Sequence, residues 1–246
     1  MQDSKIDIGA DLESDDAQQR QLPWSIKKLI LWLVLFFLIC FVISALSGFL
    51  IAYFNQINGW GLKIQDIVLF QQTYLFMILV VISIAFLRWQ YKKVDLSIRT
   101  IWGSQATQMR YIIFAFVFGV IVSLLWNCVK FDNIPAKQPD VIFYGQVIVT
   151  GLLVPFQEEL YFRGMIYRIL RKRNDSVISN LISALIFAAY HVLQVDLIGL
   201  FFIFFGGVVT AFLVERTNSL TASFVYHAIA NLVPVIVFQY REFLLL

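Results

Sequence analysis

The residues that can do chemistry lie in the second half of this 246-residue chain, inside apolar stretches. They read Glu158-Glu159-x-x-x-Arg163, then Phe187-x-x-x-His191, then His227-x-x-x-Asn231. His191 and His227 are the only histidines. A charge near the centre of a membrane helix costs roughly 2.5–3.5 kcal/mol, and ionisable residues kept there usually serve function. One carboxylate with two imidazoles supports three chemistries. It can work as a general acid–base set. It can hold a catalytic zinc ion with one open position, through Glu158, His191 and His227. It can also relay protons for a transporter.

Helical spacing sorts these residues. Glu158 and Glu159 are consecutive, so they point about 100° apart on a helix. Glu159 and Arg163 stand at i and i+4 and can pair, as an arginine this deep requires. Glu158 is left to face the histidines. His227 and Asn231 are again at i and i+4 and share one face. Pro155 removes one helix hydrogen bond just before the acidic pair and predicts a kink there.

The elements that must position them are apolar. Sixty per cent of the residues are hydrophobic and 14% are charged, against about 25% charged in soluble domains. Seven apolar segments are legible: Leu29–Phe54, Ile67–Leu87, Tyr111–Val129, Val141–Phe156, Val177–Leu193, Ile198–Val214 and Leu220–Phe238. The expectation is an all-α, multi-pass transmembrane helix bundle of about seven spans (six to eight). A further half-buried helix over Leu96–Arg110 is the open variable. The division expected is a disordered cytoplasmic tail over 1–22, flanking helices one to three over 23–130, and a catalytic core of helices four to seven over 141–240. With the N-terminus inside, 15 of the 19 Lys and Arg residues fall on the inner side and 4 outside, the bias expected of cytoplasmic loops. At 1.5 Å per residue, Glu158 and His191 then lie roughly 22 Å from the cytoplasmic face, His227 about 12 Å and Asn231 about 18 Å.

The three motifs, in this order and each in an apolar segment, resemble the CAAX-protease and bacteriocin-processing (CPBP, or Abi) family. That family includes the Ras-converting CAAX prenyl endopeptidases. The resemblance covers residues 141–240 and leaves no motif residue missing. It implies that Glu158 activates water with His191 beside it. It implies that His227 and Asn231 stabilise an oxyanion and that Glu159 and Arg163 support the site. The implied function is intramembrane cleavage of a membrane-associated protein or peptide. A CAAX-type prenylated protein and a bacteriocin or leader peptide are the two substrate kinds. No cofactor is the favoured mode, with a divalent metal such as zinc on Glu158, His191 and His227 left open. The expected localisation is the plasma membrane if the source is bacterial, with the N-terminus cytoplasmic and membrane lipid as surroundings.

Competing functions are a non-catalytic immunity or scaffold protein of the same fold and a proton-coupled transporter. No internal repeat is present, which counts against a transporter. A net charge of +3 is too small to argue for nucleic acid. No HExxH, GxSxG or GxGD motif occurs, so other intramembrane protease designs fit less well. Cys40 and Cys128 read as buried structural thiols, since no CxxC is present. Trp24, Trp60, Trp89 and Trp102 read as interfacial anchors near segment ends. Arg168, Arg171, Lys172 and Arg173 read as a cytoplasmic stop signal. Gly206 and Gly207 read as close-packing positions, with substrate binding as the alternative.

Overall fold

The computed structural model describes residues 26–59, 109–129 and 140–244 without a break, with Trp102 and scattered positions between 77 and 88. The tail over 1–22, most of the second apolar segment and most of the Leu96–Arg110 stretch lie outside the described residues. Every regular element described is helical: α1 (Ile26–Asn58), α2 (Met109–Val129), α3 (Asp140–Ile148), α4 (Val154–Glu158), α5 (Arg168–Arg171), α6 (Ser176–Tyr190), α7 (Leu197–Thr217) and α8 (Thr221–Leu244). Between α3 and α4, and between α4 and α5, the chain stays helical but winds more widely. Val149–Leu153 and Glu159–Tyr167 are π-helical. We call them π1 and π2, and the path from α3 to α5 the central rod.

Among the described residues, three stretches are long and apolar enough to cross a membrane: Met109–Cys128, Leu197–Thr217 and Thr221–Tyr240. Leu38, Phe49 and Ile57 of α1, like Phe116 and Leu125 of α2, are exposed in the isolated chain. Apolar groups in such positions have no aqueous rationale and suit lipid. The chain is an integral membrane protein.

Helix ends follow local chemistry. Asp175 caps α6 by accepting from the Ile178 amide at 2.9 Å, and Asp196 caps α7 by accepting from Gly199 at 2.9 Å. Each satisfies an amide that the first helical turn leaves without a partner. Asn218 ends α7 in the left-handed region, at φ 49°.

Pro155 acts differently from a simple kink. Its ring lacks an N–H and would press on the carbonyl of residue 151 in an α-helix. π1 covers that carbonyl, and Pro155 starts a fresh α turn after it. The disturbance is thus spread into wide turns rather than a sharp bend. Wide turns of this kind are rare and gather at functional sites.

α6 and α7 form an antiparallel hairpin. The approach is close at Gly207, where a Cβ would stand 3.1 Å from the Ala184 backbone. α8 packs chiefly against α2, then against α7, and also meets π1 and α4. The rod is buried where the hairpin meets it: Leu160, Phe162, Ile166 and Tyr167 pack with Phe187, Val214 and Leu220. At the rim, Arg171 holds Glu215 through Nε at 3.0 Å and Nη2 at 2.9 Å, while Tyr167 donates to the same carboxylate at 2.6 Å. This ties the end of the rod to the end of α7.

Three sequence expectations change. The fifth apolar segment is shorter than Val177–Leu193, because α6 stops at Tyr190 and His191 is its C-cap. A turn over residues 191–194 follows, which the apolar letters Val192 and Leu193 conceal. Cys128 is exposed on α2 rather than buried, whereas the Cys40 side chain lies outside the described residues. Trp102 is not a lipid anchor: its ring stacks on Phe156 at 5.1 Å, and its carbonyl accepts from Ser219 and Thr221.

Candidate active site

Glu158 ends α4 and Glu159 begins π2, so the acidic pair straddles a change of winding. Their side chains take different partners. Glu158 Oε1 lies 3.7 Å from His191 Nε2, and Oε2 lies 3.6 Å from His227 Nε2. Both gaps are just beyond hydrogen-bond length. Glu159 Oε1 lies 2.9 Å from His227 Nδ1 and 3.4 Å from Arg163 Nη1. His227 therefore stands between the two carboxylates.

The outer nitrogens fix the tautomers. His191 Nδ1 is 2.9 Å from the Phe187 carbonyl. A carbonyl only accepts, so that nitrogen carries the proton. His227 Nδ1 likewise donates to Glu159, whose charge Arg163 balances. In the neutral state both rings then present a bare Nε2 to Glu158. Two lone pairs facing a carboxylate repel it unless a proton lies between them. The site is built to hold a proton-bearing group beside Glu158.

Arg163 is fully buried, as is Glu159. Its Nη2 donates to the Gly207 carbonyl at 3.3 Å, and its guanidinium lies 4.3 Å from the Phe187 ring centre. Phe187 in turn meets His191 and His227 edge-on, with centroids 4.8 and 5.6 Å apart. The phenylalanine of the second motif thus sets the packing of both imidazoles and of the arginine. Asn231 lies one turn beyond His227 and donates through Nδ2 to the Thr150 carbonyl at 3.0 Å. One of its two amide hydrogens is so engaged and the other is not.

Glu158, His191, His227 and Asn231 all line one cavity of about 460 Å³. Glu159 and Arg163 stand behind it. The remainder of the wall is mainly apolar, with Val154, Phe202, Ile203 and Val235 among its residues. Sequence reasoning missed several wall residues. Val122, Ser123 and Trp126 come from α2, a segment without any motif. Gln194, a polar residue three places after His191, and Tyr226, directly before His227, carried a local signal. Thr150 had none, since its carbonyl is freed for Asn231 by the winding of π1.

The donor set for a metal would be Glu158, His191 and His227. Among the described residues no three His, Cys, Asp or Glu side chains are arranged to hold a metal ion. Both Nε2 atoms face the carboxylate oxygens directly.

Residues 140–233 match the family model described as type II CAAX prenyl endopeptidase, Rce1-like. This is the family that the three motifs resemble, and the matched stretch runs from α3 past Asn231. Neither the curated proteins nor the solved structures compared with the chain give a match.

Proposed function

We propose, for a chain whose residues 140–233 match the Rce1-like family model, that it is an intramembrane endopeptidase using water activated by Glu158. The observation that carries this reading is the position of Glu158, within 4 Å of both imidazole Nε2 atoms. A scaffold gains nothing from buried ionisable groups, and an endopeptidase needs a base and oxyanion donors.

In the reaction, a water seated between Glu158 and His191 Nε2 directs its protons to them and its free lone pair to the scissile carbonyl. Glu158 takes a proton as the new C–O bond forms. The carbonyl oxygen becomes an oxyanion and accepts from the free N–H of Asn231 and from His227 Nε2, which enters this step carrying a proton taken from water outside the site and keeps it. Glu159 offsets the charge of that imidazolium. Glu158 then returns its proton to the amide nitrogen, and the C–N bond breaks. Water is the only co-reactant, so atoms and charge balance.

The substrate is a membrane-associated protein or peptide, of the prenylated CAAX kind or the bacteriocin or leader-peptide kind. The apolar wall beside the polar end suits a chain delivered from the lipid. The proposed arrangement has the N-terminus and the basic rim at Arg171–Arg173 in the cytoplasm.

The test compares the peptides of membranes bearing wild-type protein with those bearing Glu158→Gln. Products present only with wild type, and formed by the purified protein in the presence of a strong chelator, support metal-independent glutamate chemistry. Removal of a charge that acts in the transition state is expected to lower kcat by at least about 100-fold. Wild-type turnover by Glu158→Gln would end the assignment. Loss of activity on chelation, restored by zinc, would move the same three residues to a metal site. Solute-dependent proton flux without cleavage would favour a transporter.

A further inference from the structure

Tyr226 is 2% exposed, yet its hydroxyl makes no hydrogen bond among the described residues. Buried phenols ordinarily find a partner. The ring is held against Phe118, with centroids 6.1 Å apart. Its outer end lies over Gly206 of α7, where a Cβ would be 3.6 Å from the hydroxyl oxygen and 3.7 Å from Cε1. Tyr226 and Gly206 both line the 460 Å³ cavity that contains Glu158. Nothing else stands within 4 Å of that virtual Cβ. Gly206 therefore meets α8 only through the Tyr226 phenol, at ordinary contact distance, and is not a glycine of close helix–helix approach. Gly207, its neighbour, has that role against Ala184.

The two residues make a notch: a stretch of helix without side chains, covered only at its edge by the phenol, whose hydroxyl is unpaired among the described residues. Glycine allows another backbone to come close. An unpaired donor in an apolar wall is satisfied by an acceptor that arrives with the ligand. A peptide in the active site brings one carbonyl per residue, and Thr210, the neighbouring hydroxyl on this stretch of α7, already donates to the Gly206 and Gly207 carbonyls. We infer that Tyr226 is a substrate-binding residue that donates to a backbone carbonyl of the peptide, away from the scissile bond, where the chain passes over Gly206. This deepens the endopeptidase reading and rests on it. The notch selects for an extended peptide backbone at that point rather than for any side chain.

The test uses a short dansylated peptide that carries a cleavage site found by the membrane profiling. Tyr226→Phe keeps the ring and removes the hydroxyl. KM is expected to rise roughly 2- to 10-fold, the effect of one neutral hydrogen bond, with kcat within about twofold. Binding is measured in parallel on the Glu158→Ala background, so that a chain that binds but does not cleave still reports on Tyr226. A series of peptides with single carbonyls replaced by methylene identifies the contact. One position weakens binding to the parent and causes no further loss with Tyr226→Phe. Gly206→Ala, whose methyl fits at ordinary contact distance, is expected to weaken binding by obstructing the notch without unfolding the chain. Equal loss across the whole peptide series, or Tyr226→Phe binding every peptide as its parent does, overturns the inference.

Discussion

Glu159 has two obligations, and they can be separated by substitution. It neutralises the buried Arg163 and accepts from His227 Nδ1. Glu159→Leu alone leaves an uncompensated buried cation, and breaking such a pair costs about 3–5 kcal/mol. Glu159→Leu with Arg163→Met removes both charges and is expected to regain most of that stability. Turnover should not return, because His227 has lost the carboxylate that sets its tautomer. Thermal unfolding in detergent and peptide cleavage, measured on wild type and the two variants, check this. Recovery of both together would mean that Glu159 serves stability alone. At this scale the sequence was informative because charge in lipid is expensive: the placement of Glu158, His191 and His227 in apolar stretches marked them before any geometry. The 2.9 Å contact between Glu159 and His227 was not legible. It joins residues 68 apart, and spacing along one helix says nothing about a second.

At the scale of elements, the junction between π1 and α8 decides where Asn231 points. Asn231 bonds to Thr150, and Leu232 presses on Gly151, where a Cβ would collide with Leu232 Cδ2 and Cγ. Gly151→Val is expected to force the two elements apart at a cost of about 1–3 kcal/mol, with a larger loss in kcat. Leu232→Ala in the same chain should restore much of both, and the coupling is read from a double-mutant cycle. Simple additivity of the two substitutions would rule the junction out. Apolar periodicity located most helices to within a few residues: α2, α7 and α8 cover the third, sixth and seventh segments. It failed where winding departs from 3.6 residues per turn. Pro155 announced a disturbance, but the sequence did not show that it would be taken up as π turns on either side rather than as a sharp bend. It also failed at Val192 and Leu193, which are apolar without being helical.

At the scale of the whole molecule, the bundle is organised around one wall shared by distant parts of the sequence. The family match ends at α3 on its N-terminal side, yet α2 supplies Val122, Ser123 and Trp126 to the cavity. Ser123 also donates to the Ala230 carbonyl at 3.2 Å, next to Asn231. The motif-bearing half was readable as a unit because its chemistry is conspicuous. The partnership of α2 was not, since apolar packing leaves no signature beyond hydrophobicity.

The stop of α6 at Tyr190 has a consequence for the surrounding lipid. Fifteen residues rise about 22 Å, against a hydrocarbon layer of roughly 30 Å. On the membrane seating proposed above, α6 is shorter than the hydrocarbon layer, and acyl chains beside the turn bearing His191, Gln194 and Asp196 would have to compress. Such mismatch costs fractions of a kcal/mol per Å, so bilayer thickness is expected to control the proposed cleavage. In vesicles of phosphatidylcholines with increasing chain length, cleavage per molecule should be fastest in thin bilayers and fall as they thicken. A rate independent of chain length would mean that the bundle shields this turn from the membrane altogether.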